Sequence, residues 1–111
     1  MKFYIPIELP SLLNLRISWR KMVRLKKQQK LATKLCMNGT AIPPLPLTVT
    51  ITRVGPRRLD DDNLQGACKY VRDQIAAVVG VDDGNSKYTW IYKQRTGGYR
   101  VEVDITHRQQ H

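Results

Sequence analysis

The strongest constraint on the fold is a strand pattern followed closely by a helix pattern. Residues Leu47–Val54 alternate apolar side chains with threonine, which is typical of a strand with one buried face. The segment Asp62–Val79 begins with Asp62, a natural N-cap residue. Its apolar residues recur at intervals of four and three, at Leu64, Cys68, Val71, Ile75 and Val78. This spacing predicts an amphipathic helix whose apolar stripe faces the core, with Gly80 as its C-terminal stop.

The other predicted elements are three strands and one helix. Alternation of apolar and polar residues predicts strands at Lys2–Leu9, Lys87–Lys93 and Tyr99–Thr106, and a Gly-Gly turn predicts that the last two form a hairpin. Arg16–Leu35 predicts a helix with an apolar face made of Trp19, Met22, Val23, Leu31 and Leu35. We therefore expect an α/β or α+β fold, a small mixed sheet of about four strands with two helices.

Length and composition exclude several classes of protein. The 111 residues fit a single domain, 1–111, with the basic segment 16–35 between the first and second strands. No apolar run approaches the ~20 residues of a membrane span, and the N-terminus lacks a signal-peptide layout, so we expect a cytoplasmic protein with no membrane partner. The cysteines, Cys36 and Cys68, are too few for a disulfide framework, and the chain lacks the Cys/His spacing of a zinc site.

The net charge of +10 is unevenly distributed along the chain. Residues 1–59 contain 12 Lys/Arg and one acid, Glu8, whereas residues 60–111 contain 7 Lys/Arg and 8 acids. A small, strongly basic domain most often binds a polyanion, and lysines and arginines that neutralise phosphates supply most non-specific affinity for nucleic acid. Carboxylates concentrated in one part of such a protein repel one another, which favours a metal ion between them.

Two acidic segments supply the candidate metal ligands. Asp60-Asp61-Asp62-Asn63 lies at the predicted strand-to-helix junction, and Asp82-Asp83 follows the predicted helix. Mg²⁺ prefers oxygen ligands, usually one or two carboxylates with waters and a substrate phosphate, and such a site suits phosphodiester hydrolysis. An EF-hand loop that starts at Asp61 is excluded, because its twelfth residue is Arg72 instead of glutamate.

A second interpretation of these acids needs no metal. Asp60–Asp62 would stabilise the helix as N-terminal acids, and Asp82-Asp83 would form a solvated turn. The predicted helix of 18 residues would be about 27 Å long, which holds the two acidic segments apart. They can meet only if the second segment folds back along the helix or if the helix is shorter.

A set of motifs extends over nearly the whole chain. The central ones are Arg57–Leu64 (RRLDDDNL), Lys69 with Val71–Asp73, and Gly80–Gly84 (GVDDG), and the opening contributes Pro10–Asn14 and Trp19–Lys21. Together they resemble the RusA-type Holliday junction resolvases, a family common in prophages. The resemblance implies a small α/β homodimer that cuts four-way DNA junctions with Mg²⁺ or Mn²⁺. It also implies that the two acidic segments converge.

The resemblance assigns the site aspartates by position. Asp60 and Asp62 match the two motif aspartates, as metal ligands and catalytic residues. The pair Asp82-Asp83 supplies the third acid; we favour Asp83, with Asp82 as the alternative ligand.

The resemblance also implies a functional lysine. The family position, four residues after the second motif aspartate, is Gly66 in this chain, so the role passes to Lys69, one helical turn further on. Lys69 would contact phosphate or stabilise charge in the transition state. The alternative is a helix-surface ion pair between Lys69 and Asp73.

The predicted DNA-binding surface is mainly the basic helix. Two arginines before the acids and one lysine after them complete the surface. The predicted DNA-binding residues are Arg16, Arg20, Lys21, Arg24, Lys26, Lys27, Arg57, Arg58 and Lys69. A membrane-surface helix or a calmodulin-type target fits less well, because lysines interrupt the apolar face. Four aromatic residues are candidates for base stacking or for ordinary sheet or dimer contacts, namely Trp19, Tyr88, Trp90 and Tyr92.

The expected function is therefore a Mg²⁺-dependent, structure-specific endodeoxyribonuclease that resolves four-way junctions in DNA recombination and repair. Two other functions stay open at this point. One is a non-catalytic basic DNA-binding protein of a mobile element, whose acids only cap a helix. The other is an RNA- or protein-binding adaptor.

Overall fold

The computed structural model describes residues 1–12 and 18–109, and within them four strands form one mixed sheet beside three helices. The elements in chain order are β1 Lys2–Ile5, α1 Trp19–Met37, β2 Leu47–Gly55, α2 Asp61–Ala67, α3 Lys69–Val79, β3 Tyr88–Thr96 and β4 Arg100–His107. The strand order in the sheet is β1-β4-β2-β3. This arrangement is an α+β fold, which agrees with the predicted α/β or α+β class, and it confirms the mixed sheet of four strands.

The central strand β2 has the burial pattern that its sequence predicts. Leu47, Val49 and Ile51 are fully buried, and the intervening threonines lie on the other face of the sheet. On one edge β2 pairs with β4 in antiparallel register, and on the other it pairs with β3 in parallel register. The parallel strands β2 and β3 need a crossover connection, which α2 and α3 supply. The apolar stripe of these two helices packs on one face of the sheet.

The predicted hairpin between the last two strands is wrong. β3 and β4 lie on opposite sides of β2, so the Gly97-Gly98 turn crosses the end of that strand. The Gly97 N–H donates to the Gly55 carbonyl at 3.0 Å, and a Cβ on Gly97 would come within 3.0 Å of Val54 Cγ1. A glycine-rich turn can connect two strands that pair directly or two strands that lie on either side of a third. The sequence of the turn does not distinguish these two arrangements.

The predicted single helix over 62–79 is two helices, α2 and α3, that meet at Cys68. Cys68 has φ −86° and ψ −2°, and its N–H is shared between the carbonyls of Leu64 and Gln65, both at 3.2 Å. The sharing tightens the last turn of α2 and interrupts the α-helical ladder. The predicted apolar stripe is nevertheless confirmed, because Leu64, Cys68, Val71 and Ile75 are all buried in the core.

The apolar face predicted for the basic helix is largely wrong. Trp19, Leu31 and Leu35 are 78%, 58% and 62% exposed. The buried residues of α1 are instead Gln29, Thr33 and Met37, which follow one another at four-residue spacing. Packing on α3 and β1 selects this face, and the Thr33 hydroxyl is satisfied within the helix, donating to the Gln29 carbonyl at 2.8 Å. No helix in the described ranges is long and apolar enough to cross a membrane.

Several boundaries differ from the predicted ones; β3, for example, extends from Tyr88 to Thr96 instead of from Lys87 to Lys93. β1 ends at Ile5 instead of Leu9, because Pro6 has no N–H to continue the ladder with β4. The helix α1 begins at Trp19, with the Ser18 side chain accepting from the Lys21 N–H as an N-cap. Arg16, predicted as the first residue of that helix, lies outside the described residues.

Replacing Gly80 by alanine is expected to destabilise the protein by about 1 kcal/mol. Gly80 ends α3 with φ +88°, a conformation that a Cβ disfavours. The matched control is Gly98→Ala, because a Cβ there has nothing within 4 Å and its φ is not positive. The measurement is the free energy of unfolding in urea for both variants. Equal stabilities of the two variants would contradict the left-handed end of α3.

Candidate functional site: the acidic segments and their supports

The connector that leads to the first acidic segment is held by a buried arginine. Arg53 continues the inward-facing positions of β2 and is only 6% exposed. Its Nε–H donates to the Leu9 carbonyl, and its Nη1–H donates to the Arg57 carbonyl, both at 2.7 Å. Sequence reasoning missed this residue, although the alternation of the strand places an arginine at an inward position. Arg53 thus joins the segment after β1 to the segment before the acids.

Two further hydrogen-bonded contacts fix the chain around Asp60. The Gln94 amide on β3 binds both backbone groups of Leu59, accepting from its N–H at 2.9 Å and donating to its carbonyl at 2.6 Å. The Ser11 hydroxyl donates to the Asn63 side-chain oxygen at 2.7 Å. The first acidic segment is therefore held between the β3 strand and the segment that follows β1.

The first acidic segment forms the beginning of α2. Asp60 is the N-cap, with its carboxylate accepting from the Asn63 N–H at 2.9 Å, and Asp61 and Asp62 occupy the first turn. All three are exposed, and none forms an ion pair with a lysine or arginine of residues 1–12 or 18–109. The predicted N-cap was Asp62, but Asp60 caps the helix and Asp62 lies in its first turn. The carboxylates of Asp61 and Asp62 face solvent.

The second acidic segment is a turn held against β3 by aromatic residues. The Trp90 indole N–H donates to the Asp83 carbonyl at 2.9 Å, and the Tyr88 hydroxyl donates to the Val81 carbonyl at 2.7 Å. The two rings stack with their centroids 4.9 Å apart. Asp82 closes the turn, accepting from the Gly84 N–H at 3.1 Å. Tyr88 and Trp90 therefore act as sheet residues that position the turn.

The acidic turn folds back along α3, which is one of the two ways in which the segments could approach each other. The Asp83 carboxylate lies 3.0 Å from Nε of Arg72, near the start of α3. The Nη1–H of the same guanidinium donates to the Tyr92 hydroxyl at 2.9 Å. Burial raises the pKa of Tyr92, and the arginine opposes that rise, so the phenol stays protonated at neutral pH. The sequence contains no local pattern that predicts this contact.

The four candidate metal ligands, Asp60, Asp62, Asp82 and Asp83, do not come together as one ligand set among the described residues. Among them, no group of three or more His, Cys, Asp or Glu side chains is arranged to hold a metal ion. The donor chemistry nevertheless fits Mg²⁺, which is commonly held by one or two carboxylates with waters and a substrate phosphate. The exposed carboxylates at the start of α2 meet that smaller requirement, whereas the Asp83 carboxylate contacts Arg72.

The predicted DNA-binding residues lie mainly on the exposed side of α1. Arg20, Lys21, Arg24, Lys26 and Lys27 are all exposed, as are Arg57 and Arg58 before the acids. The Lys26 ammonium lies 5.9 Å from the centre of the Tyr70 ring, and α1 packs beside α3. The basic helix α1 thus lies beside α3, the helix that begins with Lys69.

Lys69 begins α3 and is exposed. It forms no ion pair with Asp73, so the alternative proposed for it is wrong, while its predicted role at phosphate stays a prediction. The cation that does contact an acid of the second segment is Arg72, which sequence reasoning did not select.

No family model matches the chain, and no curated protein is significantly similar to it.

Replacing Gln94 by leucine is expected to lower the free energy of unfolding by about 1–3 kcal/mol, because both backbone groups of Leu59 lose their partner. The Leu59 amide should also exchange its hydrogen faster, which NMR measures directly. Gln28→Leu on the exposed side of α1 is the matched control and should leave both quantities unchanged. Unaltered exchange at Leu59 in the Gln94 variant would show that this amide does not depend on Gln94.

Proposed function

We propose that this protein is a Mg²⁺-dependent, structure-specific endodeoxyribonuclease that cuts four-way DNA junctions. The motifs that resemble the RusA-type resolvases suggest the reaction, and the placement of charge supports it. The basic helix α1 packs beside α3, which follows the exposed acidic segment and α2 along the chain, and we propose that a DNA backbone held by α1 extends to those carboxylates. Mn²⁺ is the alternative metal, and the cytoplasm is the proposed location.

The observation that carries this proposal is the exposure of Asp60, Asp61 and Asp62 in a chain with a net charge of +10. Three consecutive carboxylates repel one another, yet none has an ion-pair partner among the described lysines and arginines. A divalent cation would relieve that repulsion and would also attract a phosphate.

Each acid has a distinct proposed role. Asp60 and Asp62 would hold the metal at the start of α2, and Asp83, or its neighbour Asp82, would supply the third carboxylate only after the acidic turn moves towards them. A metal held by these carboxylates would supply Lewis-acid chemistry, which would activate a water and offset charge on the leaving oxygen of the phosphodiester. Lys69 contacts phosphate from the start of α3.

The remaining basic residues bind the DNA backbone. Those of α1 are Arg20, Lys21, Arg24, Lys26 and Lys27, and Arg16 precedes the helix. Arg57 and Arg58 guide the phosphodiester towards the acids. A four-way junction has two symmetry-related strands to cut, so a homodimer with two-fold symmetry is the proposed assembly.

A non-catalytic DNA-binding protein is the second candidate function. It is favoured by the N-cap contact between Asp60 and the Asn63 N–H, which accounts for this acid without a metal. The two functions differ in one requirement: only the nuclease needs a negative charge at Asp60 and Asp62.

Asp60→Asn and Asp62→Asn are expected to abolish cleavage of a synthetic four-way junction while binding of the junction survives. Asparagine caps a helix about as well as aspartate, so the substitution at position 60 removes charge while preserving the fold. Asp104→Asn, in β4 on the sheet face away from the helices, is the matched control and should cut normally. Gel assays with Mg²⁺ or EDTA, on junction and linear duplex, provide the measurement.

The outcomes of that assay separate the candidates. Binding without Mg²⁺-dependent cutting in the unmodified protein would establish the non-catalytic alternative. Equal binding of junction and duplex would remove the preference for branched DNA, and no binding of either would favour the RNA- or protein-binding adaptor. Cleavage that persists in EDTA would exclude the metal.

Neutral substitutions on α1 are expected to weaken DNA binding and to reduce its salt dependence. In the double variant Arg24→Gln with Lys27→Gln, the slope of log affinity against log salt should fall by about 1.8 if each residue neutralises one phosphate. Lys93→Gln with Arg95→Gln on β3 is the control, because those residues lie on the helix-free face of the sheet. If the control variant loses more DNA affinity than the α1 variant, the DNA-binding surface lies on the helix-free face of the sheet instead of on α1.

A further inference from the structure

The two outer edges of the sheet differ in length and in cover. The order β1-β4-β2-β3 places β1 at one edge and β3 at the other. β1 has four residues, Pro6 follows it, and the Cys36 thiol of α1 donates to its Tyr4 carbonyl at 3.6 Å. β3 has nine residues with no proline among them, and it pairs with β2 over its whole length. Among the described strands, β3 therefore forms the long edge of the sheet.

Two hydrogen bonds at the ends of β3 show which of its backbone groups point towards β2. The Leu47 N–H donates to the Lys87 carbonyl at 2.8 Å, and the Gly97 N–H donates to the Gly55 carbonyl at 3.0 Å. In a parallel ladder, alternate residues bond the neighbouring strand with both of their backbone groups, so the odd-numbered residues of β3 bond β2. The even-numbered residues whose N–H and C=O groups point to the outer edge are Trp90, Tyr92 and Gln94.

These outward backbone groups have no hydrogen-bond partner within residues 1–12 and 18–109. An exposed strand edge is a template for pairing with another chain, and natural proteins protect such edges with charges, proline, bulges or cover. The first five residues of β3, 88–92, contain no charge and no proline, and all of them have high strand propensity. A further strand at this edge would satisfy the outward groups.

Space for such a strand exists beside β3. A cavity of about 370 Å³ lies between α2 and β3, and Trp90, Ile91 and Tyr92 line it on the β3 side. Successive residues of a strand face opposite sides of the sheet, so a cavity that touches all three extends around the edge of the strand. The middle of the edge is thus accessible to another chain.

Charge selects one register for pairing between two copies of β3. The basic residues in and next to this strand are Lys87, Lys93 and Arg95. With a two-fold axis at Tyr92, Lys93 lies opposite Ile91 of the partner subunit, and no two basic residues face each other. Moving the axis by one or two residues in either direction places two basic residues opposite each other, which is destabilising.

The same register pairs all the outward backbone groups in the middle of the strand. Tyr92 lies opposite Tyr92 of the partner subunit, and Trp90 lies opposite the partner's Gln94. Each of these pairs can exchange two hydrogen bonds, because both members point their N–H and C=O groups outward.

On the basis of the two-fold assembly in the proposed function, we infer that β3 pairs with β3 of a second copy of this chain, antiparallel about Tyr92. Two sheets of four strands thereby become one continuous sheet of eight. The contact is isologous, since the same edge serves both subunits.

Opposite charges at position 91 test the register. Ile91 is 37% exposed, and it lies opposite Lys93 of the partner subunit in both halves of the contact. Ile91→Lys creates two like-charge pairs and should raise the dissociation constant of the dimer by at least about fivefold. Ile91→Glu creates two opposite-charge pairs and should dimerise at least as tightly as the unmodified protein.

Sedimentation velocity of the full chain without DNA, over a range of protein concentrations, measures these dissociation constants. Tyr4→Lys and Tyr4→Glu are the matched controls, because Tyr4 is 65% exposed on β1 at the other edge of the sheet. The two control variants introduce the same charges. At physiological ionic strength, where distant charges are screened, their dissociation constants should agree within about twofold.

Hydrogen exchange followed by NMR tests the backbone bonds without any substitution. The N–H groups of Trp90, Tyr92 and Gln94 should be protected in the dimer and should lose that protection on dilution to the monomer. The N–H of Ile91 donates to β2 and should be protected equally in both states. Thermal unfolding followed by circular dichroism identifies any variant that does not fold, and the exchange measurement then carries the test.

The outcomes separate this contact from the proposed function. If the protein is a dimer but Ile91→Lys and Ile91→Glu behave alike, or the Tyr92 amide gains no protection in the dimer, the contact at β3 is overturned and the nuclease stands. If the unmodified protein is monomeric at every concentration, the contact and the two-fold assembly both fail, and the Asp60 and Asp62 variants still decide the cleavage reaction. A dimer through β3 that does not cut DNA overturns the nuclease and leaves the contact established.

Discussion

The pairing of β2 on both of its edges is the constraint on which the rest of the structure depends. With β4 antiparallel on one side and β3 parallel on the other, every backbone group of this strand can enter a ladder while its inward side chains fill the core. The parallel partner requires a long connection, which is the α2–α3 unit that carries the first acidic segment. The exit from β3 must in turn cross the end of β2, which the Gly97 turn allows.

Long polar side chains help to position the two acidic segments. Arg53 reaches from the end of β2 to two loop carbonyls, Gln94 holds Leu59 from β3, and Arg72 holds Asp83 from α3. Each of them satisfies groups that no ladder reaches, because connecting segments lie at the edge of the sheet. The acids at the start of α2 therefore stay exposed on a fixed backbone, which is the arrangement that metal-dependent chemistry or simple capping would both use.

The parts of the fold that depend on local periodicity were predictable. The alternation in β2 and the stripe from Leu64 to Ile75 were both confirmed, since a buried face imposes its period on the sequence. The face of α1 was not predictable in the same way, because Gln29 and Thr33 are buried there while Leu31 and Leu35 are exposed. A helix rich in lysine has several possible faces, and the packing partner selects among them.

The sequence by itself determined where the acids and the basic residues lie along the chain and which segments are mainly strand or helix, and it limited the class to α/β or α+β. Only the tertiary structure decided that β3 pairs with β2 instead of β4 and that Arg72 contacts Asp83. The physical reason is distance along the chain. Periodicity is a property of neighbouring residues, whereas the ion pair joins residues 72 and 83 only after the turn folds back along α3.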